Sequence, residues 1–197
     1  VAVVRTVLVG VAAFLFMEPV TALLHRVLFH GPGLVLHRSH HRPASRGWEA
    51  NDAFPVVFAG ITIALMAVGT WRPGFGPLVA VGAGITAYGA SYALVHDLYI
   101  HRRVPILPER VALLEPLREA HRIHHLYGGA PYGMLAPVVP GALRARAGST
   151  ARDPIRGGLD VHAPAATPER VDRGRAAAAA TTSFRASGTR ARDEKTS

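Results

Sequence analysis

Three long apolar runs decide what this chain of 197 residues can fold into. Residues 7–24 carry no basic side chain and are interrupted only by Glu18 and Pro19, while residues 53–71 and 77–95 hold no charge at all. Each is near the length of a bilayer-crossing helix, roughly 20 residues. One such run could be a buried core helix; three in the first half of a small chain predict an all-α, integral membrane helical bundle. A cleaved signal peptide fits residues 7–24 poorly, since that run opens on no basic stretch and leads straight into histidines. Five residues, RPGFG at 72–76, join the second and third runs into a hairpin. A hairpin returns the chain to the side it left, so the segments before residue 53 and after residue 95 share one membrane face.

Those segments hold ten of the eleven histidines, in two matching sets. The first is His25-x4-His30 followed by His37-x2-His40-His41; the second is His96-x4-His101 followed by His121-x2-His124-His125. Imidazole is the commonest side-chain metal ligand, and a doubled pattern of this kind points to a metal centre. On a helix, His37, His40 and His41 would project within an arc of roughly 100°, as would His121, His124 and His125. The x4 pairs would instead diverge by about 140°, unless the helix unwinds or the two rings serve different metals. Ten ligands exceed the need of one ion, so two ions suit the pattern better than one. The chain contains no cysteine, which excludes iron–sulfur clusters, thiolate-ligated haem and disulfides within it. Iron, zinc, copper and nickel all remain compatible with an all-imidazole donor set. Glu49, Asp52 and Asp97 are candidate acceptors for imidazole N–H groups. Glu18, within or near the membrane edge, is a functional candidate or a carboxylate reaching for the headgroups.

Charge gives the orientation. Arg26, Arg38, Arg42 and Arg46 precede the hairpin, Arg102, Arg103, Arg110, Arg118 and Arg122 follow it, and only Arg72 lies in the opposite turn. The positive-inside rule places the histidine-rich, di-metal cap in the cytoplasm. Residues 141–197 are rich in Arg, Ala, Thr, Gly and Asp, with eleven basic and six acidic residues. They cannot bury enough apolar surface to offset ordering, so a boundary is expected near 140, with a disordered basic tail beyond it that includes His162. Residues 132–139 could form a re-entrant segment but are too short to span. GAGITA at 82–87 fits a dinucleotide fingerprint on paper, yet it lies inside an apolar run rather than after a strand. Its small residues, with Ala80 and Gly84 four apart, suit close helix approach instead. The positive charge is diffuse and without a nucleic-acid-binding motif, so no nucleic-acid partner is expected.

The words around the histidines, MEPVTALLHRVLFHG, HRSHHRP, WEANDAFPVVFA, GAGITAYG, VHDLYIHRR and AHRIHH, resemble the bacterial β-carotene hydroxylase family, within the membrane fatty-acid-hydroxylase-like superfamily. The resemblance runs from about residue 17 to 137. It implies that residues 1–140 form a membrane-bound di-iron hydroxylase domain, with two non-haem iron ions held by His25, His30, His37, His40, His41, His96, His101, His121, His124 and His125. It further implies O2 as co-substrate, hydroxylation of a carotenoid β-ionone ring at carbon 3, and a ferredoxin with its reductase as electron donor. A bacterial cytoplasmic membrane is the implied location. The GPGLVL link between His30 and His37 and the YGGAPYGMLAP segment depart from the family pattern. A carotenoid ketolase or a lipid hydroxylase is the nearest alternative. A metal transporter or sensor would place ligands within the spans, and a membrane zinc hydrolase would leave most of the histidines unused.

Overall fold

A computed structural model describes residues 1–42, 47–156 and 158–159. Arg46 and residues 160–197, His162 among them, lie outside the described residues. Helix α1 (Ala2–Leu24) runs without a break into a widened turn at His25–Phe29, and a short α2 (Leu34–His37) follows. A single 3-10 turn at Ala50–Asp52 leads into α3 (Ala53–Trp71), and α4 (Pro77–Ala93) runs into a second widened turn at Leu94–Ile100. Beyond it come α5 (Glu115–Tyr127) and α6 (Gly141–Gly148). A two-residue strand β1 (Arg152–Asp153) pairs antiparallel with β2 (Gly158–Leu159). Three stretches, Ala2–Phe29, Ala50–Trp71 and Pro77–Ile100, are long and apolar enough to cross a bilayer. Their outward side chains, such as Leu8, Leu15, Ile61 and Ile63, are exposed, as lipid-facing residues must be.

Helix α4 packs against both α1 and α3. A Cβ on Gly84 would lie 2.2 Å from the Gly10 carbonyl oxygen of α1, and one on Gly82 would lie 2.2 Å from Met66 Cγ of α3. The small residues at 82–87 therefore serve contact between backbones, as helix association in lipid requires. This packing brings the C-terminal ends of α1 and α4 and the N-terminal end of α3 together, and all ten patterned histidines gather there. The one-sided arrangement expected from the hairpin is what the fold adopts.

The fold continues past residue 140, the expected boundary. Ile155 joins Val95, Tyr99, Ile100 and Met134 in a buried cluster. Three arginines hold the segment down. Arg118 pairs with Asp153 at 3.2 Å, and Arg122 donates to the Ala147 and Arg152 carbonyls. Arg156 donates to the Tyr99 and Ile100 carbonyls and lies over the Tyr99 ring. Composition misjudged this stretch because, beside Ile155, its anchoring relies on a buried ion pair and on charged hydrogen bonds to backbone carbonyls. The remainder of the expected tail lies outside the described residues. Residues 132–139 carry no regular helix or strand.

Candidate metal centre

The two widened turns explain the x4 spacing. Their backbone hydrogen bonds span five residues: His30 N–H donates to the His25 carbonyl at 3.0 Å, and His101 N–H to the His96 carbonyl at 2.8 Å. One extra residue per turn brings positions i and i+5 onto one face, where a regular helix would splay them. Of the two outcomes the spacing left open, unwinding is the one realised.

The imidazoles form two groups. In the first, ligand atoms of His25, His30, His37, His41 and His124 lie within 4.8 Å of one another; in the second, those of His40, His96, His101 and His121 do. His125 adjoins the second group, its Nε2 lying 3.0 Å from that of His121 and 3.3 Å from that of His40. The groups do not follow the two halves of the sequence. The middle histidine of each triplet crosses over: His40 joins the second-half residues, and His124 joins the first-half residues. Each triplet thus splits its ligands two to one, instead of offering all three to one side. The first group is bounded by aromatic rings, with Phe29 5.6 Å from His25 and stacked on Phe54, and Tyr132 5.6 Å from both His25 and His30. Tyr92 lies 4.9 Å from His96 in the second.

The outward nitrogens fix the tautomers. His25 Nδ1–H donates to the Tyr132 carbonyl at 3.2 Å, and His124 Nδ1–H to the Gly129 carbonyl at 2.5 Å. His37 Nδ1–H donates to Asn51 Oδ1 at 2.8 Å and His96 Nδ1–H to Asp97 Oδ1 at 3.0 Å. With Nδ1 protonated, a neutral ring keeps an unshared pair on Nε2. Yet the Nε2 atoms of His25 and His37 face each other at 3.1 Å, and those of His96 and His40 at 3.0 Å. Between His25 and His37, where both Nδ1 protons are fixed outward, two unshared pairs at that distance repel, and a cation between them turns the repulsion into coordination. In the second group His40 Nε2 meets the Nε2 atoms of both His96 and His125, and one proton cannot serve both. The donor set therefore fits a metal in each group. Burial reinforces this. It lowers His40, His101, His121 and His125 well below the ordinary imidazole range, His37 and His41 to about 4, and His124 to about 3, with neighbouring imidazoles adding to the effect. Near neutral pH these rings are unprotonated and ready to ligate.

Of the expected acceptors, Asp97 meets His96, and Glu49 Oε2 lies 3.5 Å from His40 Nδ1. Asp52 is engaged elsewhere. It accepts both arms of the Arg103 fork at 2.6 and 2.7 Å, together with the Glu49 N–H at 2.9 Å, so its role is to close the 47–52 segment onto the end of the third span. Asn51 and the Gly129 and Tyr132 carbonyls escaped the sequence reading. A carbonyl oxygen leaves no mark in a sequence, and Asn51 sits next to two carboxylates that looked better suited. Gly128, with φ of 65°, ends α5 in the left-handed region that glycine enters freely. That reversal turns the Gly129 carbonyl back onto His124. Glu18 neither faces the histidines nor reaches for the headgroups. It accepts the backbone N–H groups of Met134, Leu135 and Ala136 at 2.8 to 3.1 Å and the Tyr88 hydroxyl at 2.7 Å.

Comparison with known proteins bears on what this arrangement is for. The fatty acid hydroxylase family profile matches residues 10–139, a stretch that contains all ten clustered histidines. A β-carotene hydroxylase from Pseudescherichia vulneris is 45% identical over 124 residues, covering 62% of this chain and 69% of that protein. One from Pantoea ananas is 44% identical over 115 residues, covering 57% of this chain and 64% of that protein. The chloroplastic β-carotene 3-hydroxylase 1 of Arabidopsis thaliana is 37% identical over 134 residues, and the match spans only 43% of its length. No solved structure matches the chain.

Proposed function

The chain belongs to the fatty acid hydroxylase family, among its β-carotene hydroxylases, and we propose that it hydroxylates carbon 3 of the β-ionone ring of carotenoids, giving cryptoxanthin and then zeaxanthin. The observation that carries the reading is the convergence of nine imidazoles into two groups at the ends of apolar spans, with a tenth, His125, beside the second. His25, His30, His37, His41 and His124 would hold one iron. His40, His96, His101, His121 and His125 would hold the other. A ring C–H bond of this kind has no acidic proton and no leaving group, so acid–base groups alone cannot break it. A bound iron pair supplies the activation of O2 that such an insertion requires. The balance consumes O2, two electrons and two protons, and yields the alcohol and one water.

The chain's own residues then have three tasks. The Nδ1 acceptors Tyr132, Gly129, Asn51 and Asp97 aim the rings and keep Nε2 free. Phe29, Phe54 and Tyr132 give the first group an apolar, aromatic border suited to the ring end of a polyene arriving laterally from the bilayer. Burial excludes the water that would otherwise intercept the oxidant. Electrons must arrive from outside, because a chain without cysteine cannot hold an iron–sulfur relay; a ferredoxin with its reductase is the proposed donor. The arginine asymmetry supports a cytoplasmic position for the histidines, in the bacterial cytoplasmic membrane, where such a donor would reach them.

Pigment chromatography of a β-carotene-producing bacterial host expressing the chain, beside a His124→Ala control, tests the proposal. Cryptoxanthin and zeaxanthin are expected from the parent alone. A ketone at carbon 4, an altered acyl chain, or unchanged β-carotene with the protein present in the membrane overturns the substrate assignment.

A further inference from the structure

The two histidine groups differ in what stands behind them. In the second group, His96 Nδ1–H donates to the Asp97 carboxylate at 3.0 Å, and His40 Nδ1 faces the Glu49 carboxylate at 3.5 Å. That Glu49 oxygen is buried and has no hydrogen-bond partner. Arg103 also approaches Asp97, at 3.8 Å, but commits its fork to Asp52 at 2.6 and 2.7 Å, so Asp97 keeps its charge for His96. In the first group the outer acceptors found among the described residues are neutral: the Tyr132 carbonyl behind His25, the Gly129 carbonyl behind His124 and the Asn51 amide behind His37. Exposure follows the same division. His40, His96, His101 and His121 are all buried, whereas His30 and His41 of the first group are only partly so.

A carboxylate that takes a share of the imidazole proton gives the ring partial imidazolate character and makes its other nitrogen a stronger donor. A neutral carbonyl or amide orients the ring without supplying that charge. We propose that the two metal positions are inequivalent: the carboxylate-backed position around His40, His96, His101 and His121 retains its ion, and the neutral-backed, more open position around His25, His30, His37, His41 and His124 exchanges it. Asp97 and Asn51 are the positioning residues that set the difference. The inference rests on the two-metal reading above, and it deepens that reading by assigning retention to one position and exchange to the other.

The test uses the full chain purified in detergent, loaded anaerobically with ferrous ion and then mixed with an excess of a coloured ferrous chelator. Two phases of one equivalent each are expected. Replacement of outer acceptors typically costs 10–100-fold in metal affinity, so Asp97→Asn is expected to accelerate the slow phase by roughly tenfold or more and leave the fast phase in place. Asn51→Asp gives the first position a carboxylate and is expected to slow the fast phase. A folding defect cannot imitate that result, because it adds retention. One phase releasing both equivalents, an Asp97→Asn effect on the fast phase, or faster release from Asn51→Asp overturns the inequivalence while leaving the two-metal reading intact. Fewer than two equivalents bound overturns both. Failure to hydroxylate carotenoids in the host touches neither.

Discussion

Replacing Glu18 probes how a residue far from the histidines governs them. Glu18 precedes His25 by seven positions, which places it about 10 Å along α1 from the metal ligands. Its carboxylate nevertheless gathers three consecutive backbone N–H groups of the 134–136 segment and the Tyr88 hydroxyl. The same segment delivers the Gly129 and Tyr132 carbonyls to His124 and His25. Ala136 is exposed and can turn its N–H elsewhere, which leaves two backbone donors and one phenol to be orphaned by Glu18→Ala. A buried donor without a partner costs about 1–3 kcal/mol, so the three together cost about 3–9 kcal/mol. Glu18→Gln keeps one acceptor oxygen for the N–H groups and loses the charge, for a smaller cost of about 1–3 kcal/mol. Thermal unfolding in detergent combined with metal analysis reads both effects. Glu18→Ala is expected to lower the unfolding temperature and to lose metal preferentially from the position served by His25 and His124, with Glu18→Gln between it and the parent. If Glu18→Ala matches the parent in unfolding temperature and metal content, the segment is held by other contacts and the reasoning fails.

Three other outcomes follow from the geometry. His40→Ala is expected to deplete the position shared by His96, His101 and His121 rather than that of its sequence neighbours His37 and His41, and His124→Ala the reverse; metal analysis and release kinetics distinguish the two, and depletion that follows sequence proximity refutes the crossover. Gly84→Ala is expected to destabilise more than Gly82→Ala, since its Cβ meets the Gly10 backbone oxygen whereas the Met66 side chain can move aside; thermal unfolding of both variants checks the order. Acid should weaken the metal-free protein. An unfolded imidazole titrates near 6.5, while His37 and His41 are held at about 4 in the fold, so between those values the unfolded chain binds protons that the folded chain refuses. Stability is full above about 6.5 and falls as the pH drops towards about 4. An unfolding temperature unchanged between pH 7.5 and 5.5 contradicts this.

Much of the site was legible because hydropathy and histidine spacing report on different physics and agree. Runs of span length gave the three spanning helices, the RPGFG turn gave the hairpin, and the hairpin put His25 and His96 at the same end. The acceptors behind the rings were legible only in part. Asp97 adjoins its histidine in sequence, whereas Asn51 lies 14 residues from His37 and Tyr132 lies 107 from His25. Asp52 misled because a carboxylate beside a metal motif reads equally well as a ligand support or as an arginine clamp, and only the position of Arg103 decides. The order beyond residue 140 was hidden for a similar reason. Arg122 and Arg156 look like solvated charge until the carbonyls that they meet are known, and Arg118 until Asp153 is placed beside it.

The doubled histidine at the end of each triplet is what divides the imidazoles into two groups. Residues four apart on a helix nearly overlie one another, so His121 and His125 of α5 serve the same group. Adjacent residues are about 100° apart, so His124 cannot follow His125. In the turn after α2 the same split recurs, with His37 and His41 in one group and His40 in the other. An H-x-x-x-H motif alone would build one site from one half of the chain. The added histidine projects sideways into the opposite group, and because both triplets carry it, each group takes one ligand from the other half. Neither site can be completed by α1 and α2 alone or by α4 and α5 alone. A metal held by either group would therefore clamp the two halves together, and its occupancy would depend on the docking of α5 against the ends of the spans.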